Sequence, residues 1–128
     1  MTGSPDHALS LTLDGAPPSL NAIPDMGAPF RVEAAEWEVR IAELLRGSGP
    51  APASPLARVE ASVVLTFPDR RLRVASNYAP VLERALVGAL VAVGWISAPG
   101  QFNLDAPIFE QAESIATAVE LRGWEQSA

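Results

Sequence analysis

The stretch RVEASVVLTF (58–67), followed by PDRRLRVASN (68–77), decides how this chain folds. Val59, Ala61, Val63 and Leu65 recur at every second residue, the period of a strand with one buried face. The stretch is rich in β-branched residues, which suit a pleated surface. Pro68 cannot donate to a ladder and ends the strand. The arginine-rich segment then leads into a helix that starts near Asn77, a residue able to cap the first free amides. Pro80 falls in the first turn, where its missing N–H costs little.

Downstream, Leu82, Ala85, Leu86, Ala89, Leu90 and Val93 form a wide apolar helical face that Gly94 closes. Its breadth predicts burial against a sheet, a partner chain, or both. Upstream, the period is helical from Phe30 to Arg46. Trp37, Ile41, Leu44 and Leu45 share a stripe, with Val32 and Ala34 near its start. Early acids and Arg46 suit the helix dipole, and Gly47-Ser48-Gly49-Pro50 stops the helix. Before it, Leu9 to Leu13 alternates as a strand and Asp14-Gly15 breaks it. Pro17 to Asn21 and Pro24 to Pro29 read as an irregular loop.

At the other end, Pro107 to Ala112 reads as a short strand and Ser114 to Arg122 as a stronger one. Ile115, Thr117, Val119 and Leu121 would share a face of the latter. Residues 1–7 and 123–128 read as tails around a domain over 8–122. The order β-α-β-α-β-β predicts a mixed α/β (α+β) single domain, a small mixed sheet packed by two main helices.

The 128 residues suit one compact domain, and 48% hydrophobic content argues against global disorder. Cysteine is absent, so neither disulfides nor thiolate metal sites arise. The longest apolar run, Ala85 to Ile96, is too short to span a bilayer, and no secretory signal pattern opens the chain. A cytoplasmic protein with no membrane partner is the expectation. Net charge is −6, which opposes long-range attraction to nucleic acid. The charge is uneven. Residues 1–57 carry three Arg against seven acids, residues 58–100 five against three, and residues 101–128 one against five. The single basic region contains the arginine-rich turn.

Arg70, Arg71 and Arg73 could grip phosphate, since guanidinium matches its oxygens bidentately. A solvated turn partly neutralised by Asp69 is the plainer reading. Pro17-Pro18-Ser19-Leu20-Asn21 could line a cleft or be an ordinary turn. Mg2+ needs several oxygens converging on one point, and the spacing of Asp69, Glu83, Asp105 and Glu110 fits no such pattern. Ser76 has no histidine partner, and His7, the only histidine, sits in the expected tail. Trp37 and Trp95 lie in apolar patterns and read as core; Trp124 is left open.

With these elements in order, the chain from about Leu9 to Arg122 resembles the RusA-type Holliday junction resolvases, small homodimeric endonucleases of phages and prophages. Pro17-Pro18-Ser19-Leu20-Asn21 matches that family's Pro-Pro-Ser-x-Asn loop after the opening strand. Pro68 to Arg73 matches its arginine-rich segment, and Asn77 the Asn of its Asp-x-Asp-Asn motif. Leu82-Glu83-Arg84-Ala85-Leu86 matches the texture of its second helix, and Gly94-Trp95-Ile96 with Gln101 the ends of the element after that helix. The departures fall on the chemistry. Val74 and Ser76 stand where the family has metal-binding aspartates, Ala98 and Pro99 where it has an Asp-Asp pair, and Pro80 where it has a lysine.

The resemblance therefore implies a RusA-like fold with its Mg2+ site lost: a catalytically inactive homologue and a homodimer. It would bind branched or four-way DNA without cutting it, through Arg70, Arg71, Arg73, Asn21 and Asn77. Two alternatives stand beside this. One is a repurposed module that meets a host or phage protein through its acidic surface. The other is an active endonuclease with a relocated site built from Asp69, Glu83 or Asp105.

Overall fold

The computed structural model describes residues 3–20 and 27–127. Its elements are β1 (His7–Asp14), α1 (Ala28–Gly47), β2 (Arg58–Phe67), α2 (Ala79–Ala92), β3 (Phe102–Leu104), β4 (Ile108–Gln111) and β5 (Ala116–Trp124). They form the expected mixed α/β domain; among the described residues five strands make one sheet, in the order β1-β5-β2-β3 with β4 also paired to β2. β5 runs antiparallel to both β1 and β2. β3 pairs in parallel with the first half of β2 and β4 with the second. The three-residue β3 lies in a segment whose sequence reads as irregular. So short a strand carries no readable period and is held by the edge of β2.

Burial along β2 alternates without a break, with Val59, Ala61, Val63, Leu65 and Phe67 turned inward. Leu11, Leu13, Val119 and Leu121 join them from the flanking strands. Both helices cover this same face. Trp37, Ile41 and Leu45 come from α1, and Leu82, Ala85, Leu86, Ala89 and Leu90 from α2. The wide apolar face of α2 is thus filled from within the chain: by the sheet, and by α1 through the smaller cluster of Phe30, Ala34 and Val81. It needs no second subunit to cover it. Thr117, fully buried on this face, is satisfied because its hydroxyl donates to the Gly15 carbonyl at 2.9 Å.

Several boundaries move. α1 begins at Ala28, so Pro29 belongs to its first turn rather than to the preceding loop, and no acid falls in that turn. Val32 and Leu44 are exposed, and Ala42 takes the inward position instead. Ile115 precedes β5 and is exposed. The sheet takes in His7 and Gly123–Trp124, which read as tails in the sequence, because His7 pairs with Gly123 and Trp124 with Arg58 of β2. Trp124 lies on the uncovered face. Its ring lies 4.2 Å from the Arg58 guanidinium and its indole N–H donates to the Gly3 carbonyl.

Candidate functional site

β2 delivers the chain to Pro68 at one end of the sheet, where the arginine-rich turn is built around Asp69. One Asp69 oxygen accepts the Arg71 backbone N–H at 2.9 Å, the local bond that makes aspartate a turn former. Arg73 then folds back. Its guanidinium lies 3.0 Å from Asp69 Oδ1, donates to the Arg71 carbonyl at 3.1 Å, and stacks 3.6 Å over the Phe67 ring. The Arg73 hydrogen bond, then the Arg71 amide, hold the Asp69 carboxyl below its ordinary range; the same bond to Asp69 pushes Arg73 up. Arg70 turns the other way and donates to Gln111 Oε1 at 2.6 Å, while Gln111 donates to the Pro68 carbonyl at 3.0 Å.

The three arginines are therefore not equivalent. Arg73 is a brace, its side chain only 7% exposed. Arg70 ties the turn to β4. Among the described residues, Arg71 alone of the three has a guanidinium with no hydrogen bond or ion pair.

Next to this turn, Ser19, Arg71, Leu72, Arg73, Val74, Asn77 and Tyr78 line a cleft of about 460 Å3. The fold thus brings the Pro-Pro-Ser loop against the arginine-rich turn. Asn21, the other candidate in that loop, lies outside the described residues. Asn77 does not cap α2. A 3-10 turn over Ala75–Asn77 intervenes, the residue before the helix is Tyr78, and no side chain caps it. Asn77 is left on the cleft wall. Tyr78 is buried, its ring set against Phe67 and Phe109 with centroids 6.2 and 5.4 Å away.

The positions where the chain departs from the resolvase pattern do not gather at one point. Val74 lines the cleft, and Ser76 is exposed on the 3-10 turn. Pro80 lines a different groove, between α1 and α2, with Phe30, Glu38 and Glu83. Ala98 and Pro99 are exposed at a second 3-10 turn over Pro99–Gln101. There Gln101 Oε1 accepts the backbone N–H groups of Ser97 and Ala98 at 2.8 and 3.1 Å. Gln101, one of the residues that carried the resemblance, serves as a local cap.

Among the described residues no carboxylate lines the cleft, whose donors are hydroxyl, amide and guanidinium. That set does not fit Mg2+, which takes carboxylate oxygens, and the guanidiniums repel a cation. Among the described residues, Asp69, Glu83 and Asp105 stand in separate settings. Asp69 is held by Arg73; Glu83 is on the inter-helix groove; Asp105 accepts from Ser62 at 2.9 Å and from Arg122 at 3.2 Å. Glu110 is exposed on β4. Among the described residues no three acidic or histidine side chains group as metal ligands would.

Sequence reasoning passed over Gln111, Tyr78 and Leu72. The first two act through contacts distant in sequence. Leu72 left one signal, an apolar residue inside an arginine run. Compared with known proteins, the chain matches no family model and no curated sequence.

Proposed function

We propose that this chain is a RusA-like protein that binds branched DNA without cleaving it. The observation that carries the reading is the meeting of Ser19 with Arg71 and Asn77 on one cleft. These residues come from two of the segments on which the resolvase resemblance rests. A free guanidinium flanked by hydroxyl and amide donors suits a phosphodiester, which accepts hydrogen bonds and carries negative charge. Among the described residues the cleft is lined by hydroxyl, amide and guanidinium groups, which supports binding a phosphodiester more than activating a water beside it. The reading implies a phage or prophage protein of DNA recombination or repair, working as a homodimer in the host cytoplasm. Because α2 is already filled from within, that dimer would use another surface.

A second reading is a protein-binding module. It is favoured by the net charge of −6 and by the internal use of Arg70 and Arg73, which leaves Arg71 as the one unengaged guanidinium of the described turn.

The test is a titration against a labelled four-way junction and a matched linear duplex, at low salt with Mg2+ present. Junction-selective binding that leaves the DNA intact is the expected result. No binding at micromolar protein rejects the reading and favours the protein partner; Mg2+-dependent cutting rejects the loss of catalysis.

A further inference from the structure

Leu72 is 91% exposed, the barest large hydrophobic side chain among the described residues. Its neighbours are fastened. Asp69 and Arg73 close the turn beneath it, Arg73 stacks on Phe67, and Arg70 with Gln111 ties the turn to β4. Val74, on the same cleft, is 52% exposed. A turn braced by this many bonds holds an apolar tip in water, where it gains nothing until something covers it. The bracing also removes the ordering cost a flexible loop would meet on binding.

We propose that Leu72 is an apolar wedge that enters the base stack at a DNA branch point, with Arg71 beside it on the adjoining phosphate. The proposal rests on the DNA-binding reading above and adds the source of its selectivity. One free guanidinium contacts phosphate alike on a junction and on a duplex, so it supplies attraction without discrimination. An inserted apolar side chain does discriminate. It must part stacked bases, and that costs least where a base is already unpaired or poorly stacked, as at a branch. The free Arg71 and the amide and hydroxyl donors of Asn77 and Ser19 lie on the same cleft, which favours nucleic acid over an apolar protein pocket as the cover.

The test uses the full chain, a four-way junction with 2-aminopurine beside the branch, and a matched duplex with 2-aminopurine at mid-length. Wild type is expected to brighten the junction probe and leave the duplex probe dark. Leu72→Ser should abolish the brightening and weaken junction binding about tenfold, with duplex affinity unchanged. Leu72→Met should retain both. Because Leu72 makes almost no packing contact, the variants should melt with the wild type. Junction binding by wild type without brightening, or with selectivity unchanged in Leu72→Ser, overturns the wedge and leaves the DNA-binding reading standing. Failure of wild type to bind either DNA overturns both.

Discussion

Asp69 and Arg73 close the turn after β2 into a ring, with Arg73 Nη1 3.0 Å from Asp69 Oδ1 and the guanidinium set over Phe67. This pairing engages a cation that the sequence offers to a ligand, on the wall of the cleft.

The clamp makes turn order depend on pH at the acid end. The Asp69 pKa in the folded protein lies below its ordinary 3.8, through the Arg73 hydrogen bond first and the Arg71 amide second. A carboxyl with a depressed folded-state pKa contributes fully above its unfolded value, and the contribution is lost as pH falls through the lower one. The clamp should therefore hold above 3.8 and release only below it. A carbon NMR titration of the Asp69 carboxyl, followed alongside the Phe67 ring shifts, measures this. A midpoint at or above 3.8 would contradict it.

The three arginines should separate by function. On the proposed DNA-binding reading, Arg71→Ala should weaken junction binding and reduce its salt dependence by about one phosphate contact. Arg70→Ala should have the smaller effect, since its guanidinium is engaged by Gln111. Arg73→Ala should lower Tm, and Arg73→Lys should not rescue it, because lysine neither stacks on Phe67 nor forks onto Asp69. Binding isotherms at several salt concentrations, with melting scans, distinguish the three. Equal losses in all three properties for each variant would refute the assignment.

Placing carboxylates at the cleft tests the proposed relation to the resolvases. Val74 and Ser76 are both exposed, and a new carboxylate at position 74 would meet Arg71 and Arg73. Val74→Asp with Ser76→Asp should therefore change stability by no more than about 1 kcal/mol without metal. Millimolar Mg2+ should then raise Tm in the double variant and not in the wild type. A Tm indifferent to Mg2+ in both would remove the support for a lost resolvase site.

Two glycines should respond in opposite directions to alanine. A methyl at Gly123 in β5 would lie 2.5 Å from Leu56 Cδ1, and Leu56 is buried in the core. Gly123→Ala should cost about 1–3 kcal/mol through overpacking. At Gly88, inside α2, the obstacle is the carboxylate end of the half-buried Glu38, which can swing outward. Gly88→Ala should gain up to about 1 kcal/mol from helix propensity. Urea denaturation of the two variants settles both signs; a destabilised Gly88→Ala would mean that Glu38 is held where it lies.

The fold is legible in the sequence where burial repeats with the backbone's own period. β2 is legible to the residue because its inward side chains alternate without a break, and α2 because Leu82, Ala85, Leu86, Ala89 and Leu90 repeat at helical spacing. The site is less legible. Asn77 suits a cap by composition, but the 3-10 turn takes up the residues where the helix would have begun. Arg70 and Arg73 look alike in sequence, and only Gln111, Phe67 and Asp69 separate their roles.

The sequence by itself determined the class of the domain and the inward faces of its main elements, because a strand or helix shows its period within a few residues. It also determined that Val74 and Ser76 cannot supply carboxylates. The tertiary structure alone decided the strand order β1-β5-β2, the capture of the short β3, and the placing of Ser19 beside Arg71. Among the described residues, it alone left the Arg71 guanidinium without a hydrogen bond and Leu72 bare. Each of these depends on groups far apart in the chain, and such partners are fixed by packing and hydrogen-bond geometry rather than by any local pattern.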